Sequence, residues 1–283
     1  TSKWAVTGLL IFGLVLRLVQ YLSNRSLYVD EAALALNLRN RTFWTLLKDP
    51  FDFAQTGPPG FMLVQKALTA CLGESEYVLR VLPLLAGLSA IPLFLLLARR
   101  MIPSAAVIVV FGLFVFSYSG VYFSADAKPY MVDVAATLVV LLLALSVIDE
   151  GITRARVISL CAAGAVLVWF SQPLIFTLAG AGLVLAQQAL HRPRRIPGRS
   201  LAVIFAGWGI STLGSVLLSM RSLSAAHRDY MRDFWSTGFF PLVPRTLDDL
   251  LWIPTTIVRI SADPLGAAFP GLLAVVFLLG LLV

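Results

Sequence analysis

Residues 123–133 read FSADAKPYMVD, two aspartates, a lysine and a proline set between two of the most apolar stretches of the chain. Ionisable groups at the edge of membrane helices are costly and tend to mark a functional cavity. Lys128 is the natural anion ligand, and Pro129 suits the first turn of the helix that follows. The start of that helix adds backbone N–H groups and a partial positive charge, both favourable to a phosphate. A plainer role is open to the same residues. Lys128 then reaches the interface and pairs with Asp126 or Asp133, and Tyr118, Tyr122 and Tyr130 are interface-belt aromatics.

The flanks of this stretch set the class of protein. Of the 283 residues, 59% are hydrophobic and 13% charged, against roughly a quarter charged in a soluble domain. Runs long enough to cross about 30 Å of hydrocarbon recur along the chain, which predicts an all-α polytopic membrane protein. The net charge of +7 sits in short connections, ARRM (98–101), TRAR (153–156) and HRPRRIPGR (191–199). That is the pattern of cytoplasmic loops, not of a nucleic-acid surface. Cys71 and Cys161 each fall in an apolar segment and read as small buried hydrophobes. No small-residue cleavage site follows residues 4–22, so a cleavable signal peptide is not expected.

Positive charge also fixes the expected topology. With 99–100, 154–156 and 192–199 cytoplasmic, segments 103–122 and 131–148 go out and back, and 157–171 and 173–190 do the same. Segment 200–220 then exits, leaving 221–262 outside. Lys3 places the N-terminus inside, so 4–22 exits and 23–57 is an outer loop. If both 58–72 and 77–98 crossed, the chain would reach ARRM on the wrong side. Segment 58–72, PPGFMLVQKALTACL, is short and opens on two prolines, the profile of an interfacial or re-entrant helix. Seven spans result (4–22, 77–98, 103–122, 131–148, 157–171, 173–190 and 200–220), with short helices in the first outer loop. Residues 1–262 form the expected module. The final run, 263–283, reads as the start of a further transmembrane segment that continues beyond Val283.

This topology gathers four polar stretches on the outer side. In the first loop, Asp30 and Glu31 precede AALALNLRN, suited to a short helix, with a second helix at about 43–48. Asp30 reads either as a helix N-cap with Glu31 complementing the dipole or as a carboxylate placed to accept a proton from a hydroxyl. ESEYVLR (74–80) sets Glu76 and Arg80 four residues apart, where a helix brings them into contact. SAAHRDYMRDFW (224–235) carries His227, Arg228, Tyr230 and Arg232 and resembles an interfacial segment. No P-loop, zinc motif or dinucleotide glycine pattern occurs. With no nucleotide site visible, an energy-rich substrate is expected to arrive from the membrane, and no metal constellation stands out beyond the loop acids.

The order of these features resembles the membrane-embedded GT-C glycosyltransferases of the family 39 type, the group of the protein O-mannosyltransferases and the lipid A aminoarabinose transferase. The likeness lies in an N-terminal span, an outer loop with VDEA, a PP helix start, SE…LR, a span ending in ARR and then YFSADAKPY, and it covers about residues 1–150. It implies a GT-C fold and an inverting transfer of sugar from a polyprenyl-phosphate donor to an acceptor glycan, lipid or protein. The reaction would take place on the extracytoplasmic face of a bacterial inner membrane, among membrane lipids and without a cofactor. It makes Asp30 the catalytic base with Glu31 in support. Lys128, where relatives carry arginine, and Arg80 would hold donor phosphate, with Arg228 and Arg232 as further candidates. Tyr28, Gln55, Lys66, Glu76, Tyr122, Asp126, Tyr130 and His227 complete the expected pocket. The chain departs from the pattern at TGPPGF, where Gly57 offers no side chain and its part falls to Gln55 or Lys66, and at Asp126, where glutamate is usual.

Two other classes fit the same cationic outer pocket: a non-catalytic lipid-phosphate-binding or transport protein, and a flippase-like carrier. A carrier needs polar groups along the middle of the membrane, and there Arg17 stands almost alone.

Overall fold

The computed structural model describes residues 3–191, 196–221, 223–241, 243–262 and the short pieces 270–271 and 274–275. Among them the chain is all-helical. Among the described residues five helices are long and apolar enough to cross a membrane: α1 (Lys3–Leu22), α5 (Glu76–Met101), α8 (Tyr130–Glu150), α10 (Leu174–His191) and α11 (Gly198–Arg221). The chain is therefore an integral membrane protein. The segment 263–283 expected to begin a further span lies outside the described residues, apart from those short pieces.

Two expected spans take a different form. The run 103–122 is not one helix but α6 (Ser104–Val115) and α7 (Tyr118–Tyr122), the latter running on into a 3-10 turn over Phe123–Ala125. Together they pass as one span bent by 55° at the break. The Val115 carbonyl freed at the break faces Arg17 Nη1 at 3.5 Å, and the same nitrogen donates to Gly13 O at 3.1 Å. The guanidinium also lies over the Phe114 ring, 5.8 Å from its centroid. Arg17, which the sequence sets in the middle of the first apolar run, is thus built into a helix break. The run 157–171 forms α9 (Arg154–Leu167), whose 14 residues rise only about 21 Å.

Helices α2 (Val29–Asn40) and α3 (Phe43–Lys48) form in the first loop as the sequence predicts, and α4 (Pro59–Leu72) starts at the two prolines. These three pack on the spans through one core that joins Leu34, Leu38, Leu46, Phe61 and Met62 to Leu79 of α5 and Met131 of α8. Helix α4 is anchored by polar groups at three points. Gln65 donates to Leu79 O (2.6 Å) and Lys66 to Leu38 O (2.6 Å), and Gly60 N donates to Trp169 O (2.7 Å). Lys66 therefore ends α2 by binding one of its last carbonyls.

Helix α5 is the axis of the assembly. Ser75 caps it by accepting from Val78 N at 3.3 Å, and Arg99 and Arg100 occupy its last turn, matching the helix dipole. It packs on α1, α4, α6 and α8. At Gly87 it touches the turn of 123–125 so closely that a Cβ would collide with the Ser124 hydroxyl. A similar approach joins α9 and α11, where Gly164 makes room for the Trp208 indole, which donates to Leu160 O at 3.0 Å. Small residues at such crossings let helix backbones meet in a membrane. Cys71 is exposed on α4 and Cys161 half-buried, both free. The expectation of two buried cysteines fails for Cys71 because an apolar run does not say which face of its helix meets protein.

The chain divides into two compact units, residues up to 115 with 120–223, and 116–119 with 224 onward. In the second unit the expected outer loop 221–262 contains two helices, α12 (Ala225–Phe234) and α13 (Leu247–Ala262). Asp249 starts α13 by accepting from Arg245 N (2.8 Å) and Thr246 N (2.9 Å).

Candidate functional site

At one end of the bundle, α1 stops where α5 begins. Tyr21 donates to Tyr77 O (3.0 Å) and Tyr77 to Leu22 O (3.3 Å), tying the two together. Helix α2 crosses this end, and its first turn decides the roles of two neighbouring acids. Tyr28 is the N-cap residue and Val29 the first helical one. Glu31, third in the helix, reaches back to accept from Tyr28 N at 2.9 Å, the carboxylate half of a capping box. Asp30 caps nothing. It stands exposed at the second position, so the cap role open to it in the sequence belongs to Glu31.

Glu31 is a structural hub. Its carboxylate accepts from Arg80 Nε (3.1 Å) and Nη2 (3.2 Å), Arg25 Nη1 (2.7 Å), Tyr28 N and Ala127 N (2.8 Å). Burial alone would push this carboxyl up. The bonds from Arg80 and from the Tyr28 and Ala127 amides outweigh it and hold the group at about 2. The third Arg80 nitrogen donates to Arg25 O at 2.7 Å. Arg80 is only 1% exposed, so it is no open phosphate ligand. Nor does it pair with Glu76 one turn away: its carboxylate comes from 49 residues earlier.

The turn of residues 126–128 faces this hub. Lys128 Nζ donates to Gln55 Oε1 at 2.6 Å, and Gln55 Nε2 donates in turn to Asp30 Oδ1 at 3.3 Å. An ammonium only donates and a carboxylate only accepts, so the amide has one workable orientation. Burial pushes the Lys128 ammonium down, while Asp30, Asp126 and Glu31 pull it back up. Gln55 is delivered by a turn with two successive left-handed non-glycine residues, Phe53 (φ 61°) and Ala54 (φ 50°). Asn37 clamps that turn, donating to Asp52 O (3.1 Å) and accepting from Asp52 N (2.9 Å). Strained backbone of this kind persists where the surroundings over-determine it. Of the two residues left open for the place of Gly57, Gln55 is at the site and Lys66 is not.

Asp126 is buried beside the hub. Its Oδ1 has no hydrogen-bond donor and lies 3.7 Å from Arg25 Nη2. Burial, then the charge of Glu31, push its carboxyl up to about 7, against the pull of Arg25 and Lys128. Arg25, which the sequence reading passed over, lies with its Cζ over the Tyr122 ring, 4.6 Å from the centroid. Phe123 bridges Tyr122 (5.3 Å) and Tyr130 (4.7 Å).

The structure thus brings together Asp30, Glu31, Gln55, Arg80, Tyr122, Asp126, Lys128 and Tyr130, with Tyr28 exposed at the head of α2. Glu76 goes elsewhere. It lines a cavity of about 290 Å³ together with Ala32, Leu36, Arg39 and Glu74, a cavity that none of Asp30, Gln55, Asp126 or Lys128 lines. Arg228 and Arg232 are exposed on α12 of the second unit, and the side chain of His227 lies outside the described residues. Among the described residues, no three His, Cys, Asp or Glu side chains group as metal ligands. No protein-family model, curated protein or solved structure matches this chain.

Proposed function

We propose that the protein is an inverting glycosyltransferase of GT-C type, moving a sugar from a polyprenyl-phosphate donor to an acceptor hydroxyl at the extracytoplasmic face of a bacterial inner membrane. In this reading α6 with α7, and α9 with the turn that follows it, complete a seven-span module. The observation that carries the proposal is the Lys128–Gln55–Asp30 chain, which links a buried cation to an exposed carboxylate through one amide. The two ends suit opposite needs of the reaction. Asp30 takes the proton of the acceptor hydroxyl as its oxygen attacks the anomeric carbon. The bond from that carbon to the phosphate oxygen breaks, and Lys128 stabilises the charge left on the departing polyprenyl phosphate. Arg80 leaves the phosphate role and holds Glu31 instead.

Native mass spectrometry of protein purified in mild detergent tests the donor. A polyprenyl-phosphate sugar bound to the wild type and absent from Lys128→Ala is the expected result. A preparation free of phospho-lipid, and unable to take one up when it is added, contradicts the reading.

A further inference from the structure

We propose that Arg25 is a second ligand of the anion at Lys128, and that Asp126 is the counter-ion it gives up, taking a proton as the anion enters. The inference rests on the reading that this pocket holds a phosphodiester.

The guanidinium of Arg25 is half used. Nη1 serves Glu31 at 2.7 Å and lies 3.4 Å from Ser26 O. Nε and Nη2 are buried without a hydrogen-bond partner. Those two nitrogens form one edge of the guanidinium, the fork that takes two oxygens of a phosphate side by side. The Tyr122 ring lies under the guanidinium, 4.6 Å from Cζ to the centroid, a cation–π contact that helps to fix its position. Opposite stands Asp126 Oδ1, also buried and without a donor, 3.7 Å from Nη2 and too far for a hydrogen bond. A buried donor edge and a buried acceptor that face each other without bonding are each costly. An oxyanion between Arg25 and Lys128 would satisfy the donor edge.

Charge then decides the fate of Asp126. The groups around it are Arg25 from the connection before α2, Glu31 on α2 with Arg80 of α5 bound to it, Lys128 on its own turn and Tyr130 on α8, with Asp30 beyond Gln55. Three cations face three carboxylates, so a monoanion adds one uncompensated negative charge to a buried cluster. Glu31 is fixed in the ionised form by its five donors. Asp126 is the carboxylate already raised toward neutrality, and once protonated it has Glu31 as a hydrogen-bond acceptor.

The test is calorimetry of the full chain in detergent with a polyprenyl methyl phosphodiester, a probe whose own charge does not change across the range used. Titrations at pH 8 in two buffers of different ionisation enthalpy should give uptake of about one proton per bound lipid, falling toward zero at pH 6. Asp126→Asn should bind without proton uptake, and Arg25→Lys, which keeps the charge and loses the fork, about tenfold more weakly. Binding by the wild type with no proton uptake at pH 8 overturns this proposal and leaves the lipid-phosphate reading standing. No binding at any pH overturns that reading itself. The proton count on the wild type needs no variant to fold.

Discussion

Glu31 and Asp126 are carboxylates of one buried cluster, and they are treated in opposite ways. Glu31 accepts five hydrogen bonds from four residues, whereas Asp126 Oδ1 accepts none. The first ties together α2, α5, the connection before α2 and the turn before α8. The second leaves a guanidinium edge and its own oxygen unsatisfied. A saturated acid beside an unsaturated one separates what holds the site from what the site is for. It also moves Asp30, adjacent to Glu31 in sequence, out of the scaffold and into the open.

The largest effect expected from this contrast is on stability. Glu31→Gln leaves Arg80 buried without its counter-charge, a loss of about 3–5 kcal/mol, measured as a collapse of the thermal unfolding midpoint in detergent. Asp30→Asn should leave that midpoint unchanged. If the two variants unfold alike, the contrast is wrong.

A pH series sharpens the comparison next. Glu31 is lowered in the folded state from 4.5 to about 2, so its contribution is complete above pH 4.5 and drains away on acidification toward 2. Asp126 is raised from 3.8 to about 7, so its favourable part is complete below pH 3.8 and is lost as pH rises through 7. The unfolding midpoint should therefore peak between about pH 4 and 5. Asp126→Asn should flatten the alkaline side alone. A midpoint that climbs steadily from pH 4 to 7 would contradict the assignment.

Smaller effects test the frame. Lys66→Met removes the bond to Leu38 O and should cost about 1 kcal/mol. Ala54→Gly relieves a left-handed alanine, a gain of about 0.5 kcal/mol after the entropy of glycine is subtracted. Both are read from the same unfolding curves.

Much of this was legible in the sequence. Uninterrupted apolar runs gave the long helices, and the short helices of the first loop followed from DEAALALNLRN and the residues after it. The meeting of Asp30 with Lys128 came from placing two connections on one side of the membrane. What was not legible lies in pairing across distance. Glu76 stands one turn from Arg80 and looks like its partner, yet in the fold Arg80 bonds Glu31, 49 residues earlier on α2. Gln55 reads as an ordinary loop residue until two left-handed residues aim it inward. The bend after Val115 has no proline to announce it, because an arginine on another helix takes up the loose carbonyl.

As proposed, Asp30 performs the chemistry at a pocket whose lipid Lys128 holds. The most direct measurement assays Asp30→Asn for sugar transfer from a polyprenyl-phosphate sugar while following lipid binding in the same preparation. The lipid should remain bound and turnover should fall by about a hundredfold or more. Turnover at the wild-type rate with the lipid bound would contradict this role of Asp30.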